Sequence, residues 1–332
     1  MNIKNEIRKT IFSKMSESQI DCFYKIYYRL RYCDEMQKKI SYGDMNPDKI
    51  FYLIRPRKDG IEGLLSLFWN VIRNIDYAKE KNYIPVVDFK NYKSQYSMND
   101  YDNVWEYYFT QPSNYSLEEV YKSKNIIISG LETQWYKKEL YKANYEQKVL
   151  EELHQMIFKH IDFSEEVKKR VSQEISDINI NLESTVGLYL RGTDYVNLKP
   201  SGHPIQPTVD QAIEVVDSYI KKYQPTSLFL VTEDGEIYDE IKAKYGDRCV
   251  TPKYEKYIYN YDGKSFLSND KCIDELADNA YERGMNYLIK MIILSRCAYV
   301  IGGNTNGMWA VNVFSKNRFK DHFIFELGLY GK

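Results

Sequence analysis

The sequence predicts an α/β chain of two similar halves, each built on a parallel sheet with helices on both faces. Short apolar runs rich in Ile and Val alternate with longer amphipathic stretches along most of the chain. Several runs, such as Val186-Gly187-Leu188-Tyr189-Leu190, are apolar without alternation, as strands buried on both faces must be. The chain has 332 residues, more than one core comfortably holds, so two units are expected.

The elements follow in order. Residues 1–48 read as an N-terminal helical segment, with a helix over 3–42 placing Ile20, Phe23, Ile26, Tyr27 and Leu30 at helical spacing. A first Rossmann-like unit is expected over 49–180. Phe51 to Ile54 is a strand, Arg55 to Gly63 a glycine-containing loop, Leu64 to Lys81 a helix and Ile84 to Phe89 a second strand. Asn125 to Ile128 adds a strand, and 144–173 reads as one long charged helix.

A second Rossmann-like unit is expected over 181–332. Its first strand is Val186 to Leu190. Thr208-Val209-Asp210-Gln211 is a capping box that opens a helix carrying Ala212, Ile213, Val216 and Ile220. Ser227 to Val231 is a strand ending in Thr232-Glu233-Asp234-Gly235, and Cys249-Val250-Thr251 an edge strand. Residues 281–296 form a buried helix. Ala298 to Ile301 is read as the last strand, turning through Gly302-Gly303-Asn304-Thr305-Asn306-Gly307 into a terminal helix.

Composition narrows the functional classes. A net charge of -1 gives no overall attraction to nucleic acid or anionic lipid, so local basic residues must hold any phosphate. Five scattered cysteines without a CxxC pair argue against a disulfide framework and a zinc site. The N-terminus has no apolar core of a signal peptide, and Leu288 to Ile301 is interrupted by Lys290 and Arg296 and too short to span a bilayer. A cytoplasmic protein is expected, able to visit the inner membrane face to reach a lipid-linked acceptor. The 32 tyrosines suit sugar stacking and equally suit a Lys/Asn/Ile/Tyr-rich coding bias.

Ligands of parallel sheets bind at the carboxyl ends of the strands, where four polar clusters fall. Arg191-Gly192-Thr193-Asp194-Tyr195 is the first. A guanidinium there can grip a diphosphate through paired hydrogen bonds, with Asp194 orienting it, or it can close a turn as a structural ion pair. Gly303-Asn304-Thr305-Asn306 precedes a helix whose amides and dipole favour phosphate; an ordinary strand-to-helix turn is the other reading. The run is neither GxGxxG nor a Walker loop, which disfavours a nicotinamide-dependent oxidoreductase. Thr232, Glu233 and Asp234 can accept from a base or ribose, or cap the next helix. In the first half Glu62, between Gly60 and Gly63, is placed to take a proton from an acceptor hydroxyl, or is a surface loop residue. His203, before Pro204, is a loop residue or a donor contact. Asp100-Tyr101-Asp102 has the spacing of a metal-binding pair but lies in a polar loop and is read as a loop, leaving no metal site.

With these residues in view the second half resembles the fucosyltransferase superfamily of α-1,2-, core α-1,6- and protein O-fucosyltransferases. The likeness runs from Leu188-Tyr189-Leu190-Arg191-Gly192-Thr193-Asp194-Tyr195 and His203-Pro204-Ile205 through Leu230 to Asp234 and Leu294 to Val313. Gly60 to Gly63 echoes the first-domain loop of the protein O-fucosyltransferases, and Asn103 to Phe109 looks like bacterial relatives from surface-polysaccharide gene sets. The resemblance implies a GT-B-like fold with sheets facing across a cleft, GDP-fucose as donor, inversion and no metal or other cofactor. It implies that Arg191 contacts the β-phosphate, that Asn304 and Thr305 bind phosphate and that Glu62 is the base. Tyr189 stands where the family has a histidine, Lys290 falls near its guanine-reading acid, and Lys199 and its neighbours lack the acid that follows the Arg motif. These departures bear on base and sugar more than on glycosyl transfer.

The expected function is therefore metal-independent, inverting transfer of a sugar to a glycan, polysaccharide or lipid-linked oligosaccharide hydroxyl. Another nucleotide-sugar donor is the alternative within that class. A non-catalytic nucleotide-sugar or glycan-binding protein is the alternative outside it.

Overall fold

The structure is a computed structural model that describes residues 15–58, 60–131, 133, 145–316 and 318–331. The first half comprises helix α1 (Glu17–Arg31), β1 (Lys38–Ile40), β2 (Phe51–Ile54), α2 (Leu64–Glu80), β3 (Ile84–Val87), α3 (Val104–Tyr108), α4 (Leu117–Val120), β4 (Ile126–Ile128), α5 (Gln147–Phe158) and α6 (Glu165–Ile178). Its sheet has the order β1-β4-β2-β3, with β2 parallel to both neighbours and β1 antiparallel at the edge.

The second half comprises β5 (Thr185–Tyr189), α7 (Thr193–Leu198), α8 (Val209–Tyr223), β6 (Ser227–Val231), α9 (Gly235–Tyr245), β7 (Cys249–Val250), α10 (Ala280–Leu294), β8 (Tyr299–Gly303), α11 (Asn306–Phe314) and β9 (Asp321–Phe325). These five strands are all parallel, in the order β7-β6-β5-β8-β9. Two α/β units built on parallel strands are the fold class that the sequence predicts.

Local chemistry explains the main elements. In α2 an unbroken run without Gly or Pro buries Leu64, Leu65, Leu67, Phe68, Val71, Ile72 and Ile75. Its cap residue is Gly63, which has no side chain to offer, and the hydroxyl of Tyr96 accepts the Leu64 amide instead, at 2.9 Å. At α8 the expected capping box is present, with Thr208 and Gln211 satisfying each other's backbone amides.

Four boundaries differ from the sequence reading. The N-terminal helix spans Glu17–Arg31 of the expected 3–42, whose first residues lie outside the described ones. Residues 38–40 are instead strand β1, paired to β4, so the 1–48 segment shares a sheet with the first unit. Of the apolar residues at helical spacing, Phe23, Ile26, Tyr27 and Leu30 are exposed.

The long helix of 144–173 is two helices. Ser164 caps α6 through the Val167 amide, and residues 162 and 163 turn aside to pair with Thr110 and Phe109. Tertiary pairing thus overrides a continuous helical pattern. Finally, β8 is not the last strand, because another strand follows α11, the last helix among the described residues. Residues 321–325 return as β9, an edge strand whose polar Asp321 and His322 hide its strand character.

The halves are joined by a common core. Helix α11 packs on α2 and α5, and α10 packs on α6 and α3. Trp69 of α2 stacks on Trp309 of α11 with ring centroids 3.8 Å apart. Among the described residues no helix is long and apolar enough to cross a membrane.

Candidate functional site

The parallel strands of the second sheet present their carboxyl ends on one edge. Arg191 follows β5, Glu233 and Asp234 follow β6, and Asn304 and Thr305 follow β8.

The turn after β5 is built around a close approach. A Cβ on Gly192 would lie 2.1 Å from Asp234 Oδ2, so only glycine fits. The Gly192 amide donates to Glu233 Oε1 at 3.2 Å, and the Thr193 amide to Asp234 Oδ2 at 3.2 Å. The Thr193 hydroxyl donates to Glu233 Oε1 at 2.9 Å. Arg191 closes the arrangement, donating from Nη2 to Asp194 at 2.8 Å and from Nε to Glu233 at 3.2 Å.

Below the guanidinium lies the Tyr195 ring, 4.7 Å from its central carbon, and His203 packs edge-on against that ring. Burial works against the Arg191 charge, yet Glu233, Tyr189 and Asp194 hold its pKa well above the usual arginine value. Arg191 is therefore a permanent cation in a fixed orientation, and 21% of its side chain still faces solvent.

Thr232, Glu233 and Asp234 are turned inward. The Thr232 hydroxyl accepts the Asp234 amide at 3.2 Å, and Asp234 Oδ1 caps α9 by accepting from Glu236 and Ile237. Of the two readings of these residues, Asp234 matches the helix cap, and Glu233 accepts from the Arg191 turn.

The turn after β8 carries Asn304, Thr305 and Asn306. Thr305 caps α11 by accepting the Met308 amide at 3.0 Å. Asn304 accepts from the Tyr145 hydroxyl at 3.0 Å, and the Asn306 carbonyl accepts from Trp69 Nε1 at 3.1 Å. Gly303 fits against Gln206, whose Oε1 would lie 2.2 Å from a Cβ there. The segment from Gly202 to Ile205 runs beside the C-terminal residues 328–330. Pro204, Asn304 and Phe325 to Leu329 line a cavity of about 310 Å³ there.

Two tyrosines bring the Arg191 and Asn304 turns together. The buried Tyr189 hydroxyl is coupled electrostatically to Arg191 and lies 3.4 Å from that of Tyr287 on α10. Gly307, in the first turn of α11, rests on the same pair. A Cβ there would be 2.8 Å from Tyr287 Oη and 3.1 Å from Tyr189 Cε1. Burial, then the neighbouring Tyr189, pushes the Tyr287 phenol far above its normal pKa, so it acts as a neutral hydrogen-bonding group.

The first half reaches the same place. Gly60 takes a left-handed φ of 65°, and Gln95 clamps its loop by donating to the carbonyls of Ile61 at 2.8 Å and Glu62 at 2.9 Å. Arg283 of α10 in turn donates to the Gln95 carbonyl at 3.0 Å. Tyr96, which holds the Leu64 amide, is coupled electrostatically to Arg191 and to Tyr287. The Glu62 side chain is half-buried in this loop.

The sequence reading did not single out Tyr96, Gln95, Arg283, Tyr287 or Tyr145. Each is a common residue type on an element remote in sequence from its partners, so no local pattern marks it. Lys290 is also placed: it forms a buried ion pair with Glu255, whose carboxyl burial pushes upward in pKa and Lys290 draws down. Asp100 pairs with Lys93, and Asp102 accepts from Tyr107 at 2.8 Å, within the loop expected there. Among the described residues no three His, Cys, Asp or Glu side chains gather as a metal site.

Compared with known proteins, the sequence matches no family profile and no curated protein. Solved structures similar to the chain are fucosyltransferases. The fucosyltransferase NodZ from Bradyrhizobium is 16% identical, with 80% of this chain and 92% of that one covered and a TM-score of 0.45. NodZ α-1,6-fucosyltransferase soaked with GDP-fucose is 16% identical over 86% of this chain and 98% of that one, with a TM-score of 0.48. POFUT1 in complex with GDP is 14% identical over 85% and 75%, with a TM-score of 0.39.

Proposed function

We propose that the chain is an inverting glycosyltransferase whose second unit, 181–332, holds a nucleotide-diphosphate sugar and whose first unit, 49–180, presents the acceptor. The observation that carries this reading is the convergence of Arg191 and the start of α11 on the Tyr189–Tyr287 pair. A fixed cation and the opening amides of a helix, brought to one point, suit a diphosphate.

In this reading Arg191 neutralises the charge that grows on the departing nucleoside diphosphate, and the α11 amides share it. Asp194 and Glu233 hold the guanidinium in place before the reaction begins, so little reorganisation is needed as charge develops. Asn304 and Thr305 shape the helix start. Glu62 accepts the proton of the acceptor hydroxyl as that oxygen attacks the anomeric carbon from the face opposite the leaving group. A guanidinium and a helix dipole supply the positive charge, so the reaction proposed needs no metal or other cofactor.

The motif around Arg191 favours GDP-fucose as donor, and a glycan or lipid-linked oligosaccharide, met at the cytoplasmic face of a membrane, as acceptor. Calorimetry with GDP, UDP and dTDP and their sugars tests the donor. GDP is expected to bind, and Arg191→Ala to weaken it by at least tenfold. Unchanged GDP binding in that variant would remove Arg191 from the donor site. Glu62→Gln should lower donor turnover by about 10²–10⁴ while leaving GDP affinity intact.

A further inference from the structure

One helix of the second half touches both parts of the proposed site. Helix α10 carries Arg283 and Tyr287 four residues apart, so their side chains leave one face a single turn from each other. Tyr287 serves the donor side, its hydroxyl 3.4 Å from that of Tyr189 and packed against Gly307 of α11. Arg283 reaches the first half. Its Nη2 donates to the Gln95 carbonyl at 3.0 Å, and its Nη1 to Asp274 at 3.0 Å. Only 11% of the side chain is exposed, and the guanidinium lies 5.6 Å from the Tyr96 ring centre, so its fork is held in one orientation.

Gln95 in turn holds three successive carbonyls of the loop between β2 and α2. Its backbone amide donates to Gly60 at 2.7 Å, and its side-chain amide to Ile61 at 2.8 Å and Glu62 at 2.9 Å. Tyr96 adds a fourth bond by accepting the Leu64 amide. Gly284, beside Arg283, lets these residues close onto α10. A Cβ there would lie 2.2 Å from Tyr108 Oη and 2.9 Å from Tyr96 Cδ1. Arg283 thus fixes Gln95 against α10, and Gln95 fixes the backbone of Glu62.

We propose that Arg283 and Gln95 are positioning residues that hold Glu62 in a set place relative to the Arg191 donor site. This rests on the glycosyltransferase reading, in which Glu62 takes the proton of the attacking hydroxyl. Arg283 and Gln95 act only through the carbonyls of the loop. The base and the leaving-group clamp then share one frame, α10, although they belong to different halves.

The experiment follows GDP release from GDP-fucose with water as acceptor. The water oxygen bonds to the anomeric carbon, the bond to the diphosphate breaks and Glu62 receives the proton. Gln95→Ala and Arg283→Met should each lower kcat about 10–100-fold, the cost of misplacing a reacting group by about 1 Å. KM and calorimetric GDP affinity should stay unchanged. Arg283→Lys, which can still donate to the Gln95 carbonyl, should recover part of the loss. In a Glu62→Gln background neither change should slow release further, because no base is left to position. An equal loss in both backgrounds would mean general weakening of the structure and would overturn the proposal. So would an unchanged kcat in Gln95→Ala and Arg283→Met, or a loss confined to GDP affinity. If Glu62→Gln released GDP as fast as the parent, the base reading would fail and the positioning role with it. A slow Glu62→Gln beside a normal Gln95→Ala would remove the positioning role alone.

Discussion

A methyl group on Gly192 has nowhere to go, because the Asp234 carboxylate that would meet it at 2.1 Å is fixed by two α9 amides. Gly192→Ala should therefore cost about 1–3 kcal/mol in urea denaturation, the range for overpacking a rigid site. It should also weaken GDP, since the turn carries Arg191. A variant as stable as the parent would show that the turn relaxes easily. Asp194→Asn keeps the shape and removes one charge facing Arg191 and an acceptor of the Leu267 amide. A loss of about 1.5–3 kcal/mol is expected, the scale of hydrogen bonds to charged groups. An unchanged unfolding midpoint would reduce Asp194 to a bystander. Arg191, Gly192, Thr193 and Asp194 were legible in the sequence because they are contiguous and end an apolar strand. Glu233 was legible only as a strand-end acid. That it serves Arg191, Gly192 and Thr193 together depends on β5 and β6 being neighbours, which no local pattern states.

Among the elements, α2 and α11 make the junction on which the site depends. Trp69 does two things there: its ring stacks on Trp309, and its Nε1 fixes the carbonyl of Asn306 in the first turn of α11. Trp69→Phe retains an aromatic ring and removes the donor, for an expected loss of about 1 kcal/mol with a looser α11 start. Trp69→Ala should cost about 3–5 kcal/mol. The informative comparison is GDP affinity in Trp69→Phe, which should fall although the residue lies in the opposite half. Affinity equal to the parent would show that α11 holds its position without α2. The elements read correctly were those whose apolar pattern is set by burial on both faces, such as β5, β6 and α10. Those misread were settled by partners far away. The split of 144–173 comes from pairing with Thr110 and Phe109, and β9 is fixed by its parallel register with β8.

On the scale of the whole molecule, the apolar side chains of the described residues form three layers beside a small fourth cluster of Ile258, Leu267 and Cys272. Val186, Leu188, Leu190, Leu228 and Leu230 face an outer layer against α8 and α9, and Phe51, Leu53 and Ile126 face another on the far side of the first sheet. Between the sheets lies a single continuous layer. It runs from Leu64, Phe68 and Leu153 of the first half to Leu288, Met308 and Val313 of the second. The sequence suggests two units that could fold apart, because length and repeated pattern speak for two sheets and say nothing of what fills the space between them. The shared layer argues for one cooperative unit, since neither half can open without exposing side chains of the other. Heating or urea should give one transition, coincident by tryptophan fluorescence and far-ultraviolet circular dichroism. Leu230→Ala, in an outer layer of the second half, should shift that whole transition by about 2–5 kcal/mol without splitting it. If it instead produced a stable first half with a separate later transition, the halves would be energetically independent. The donor and acceptor sides would then be free to move as separate bodies, and the Trp69–Asn306 contact could not be what sets the start of α11.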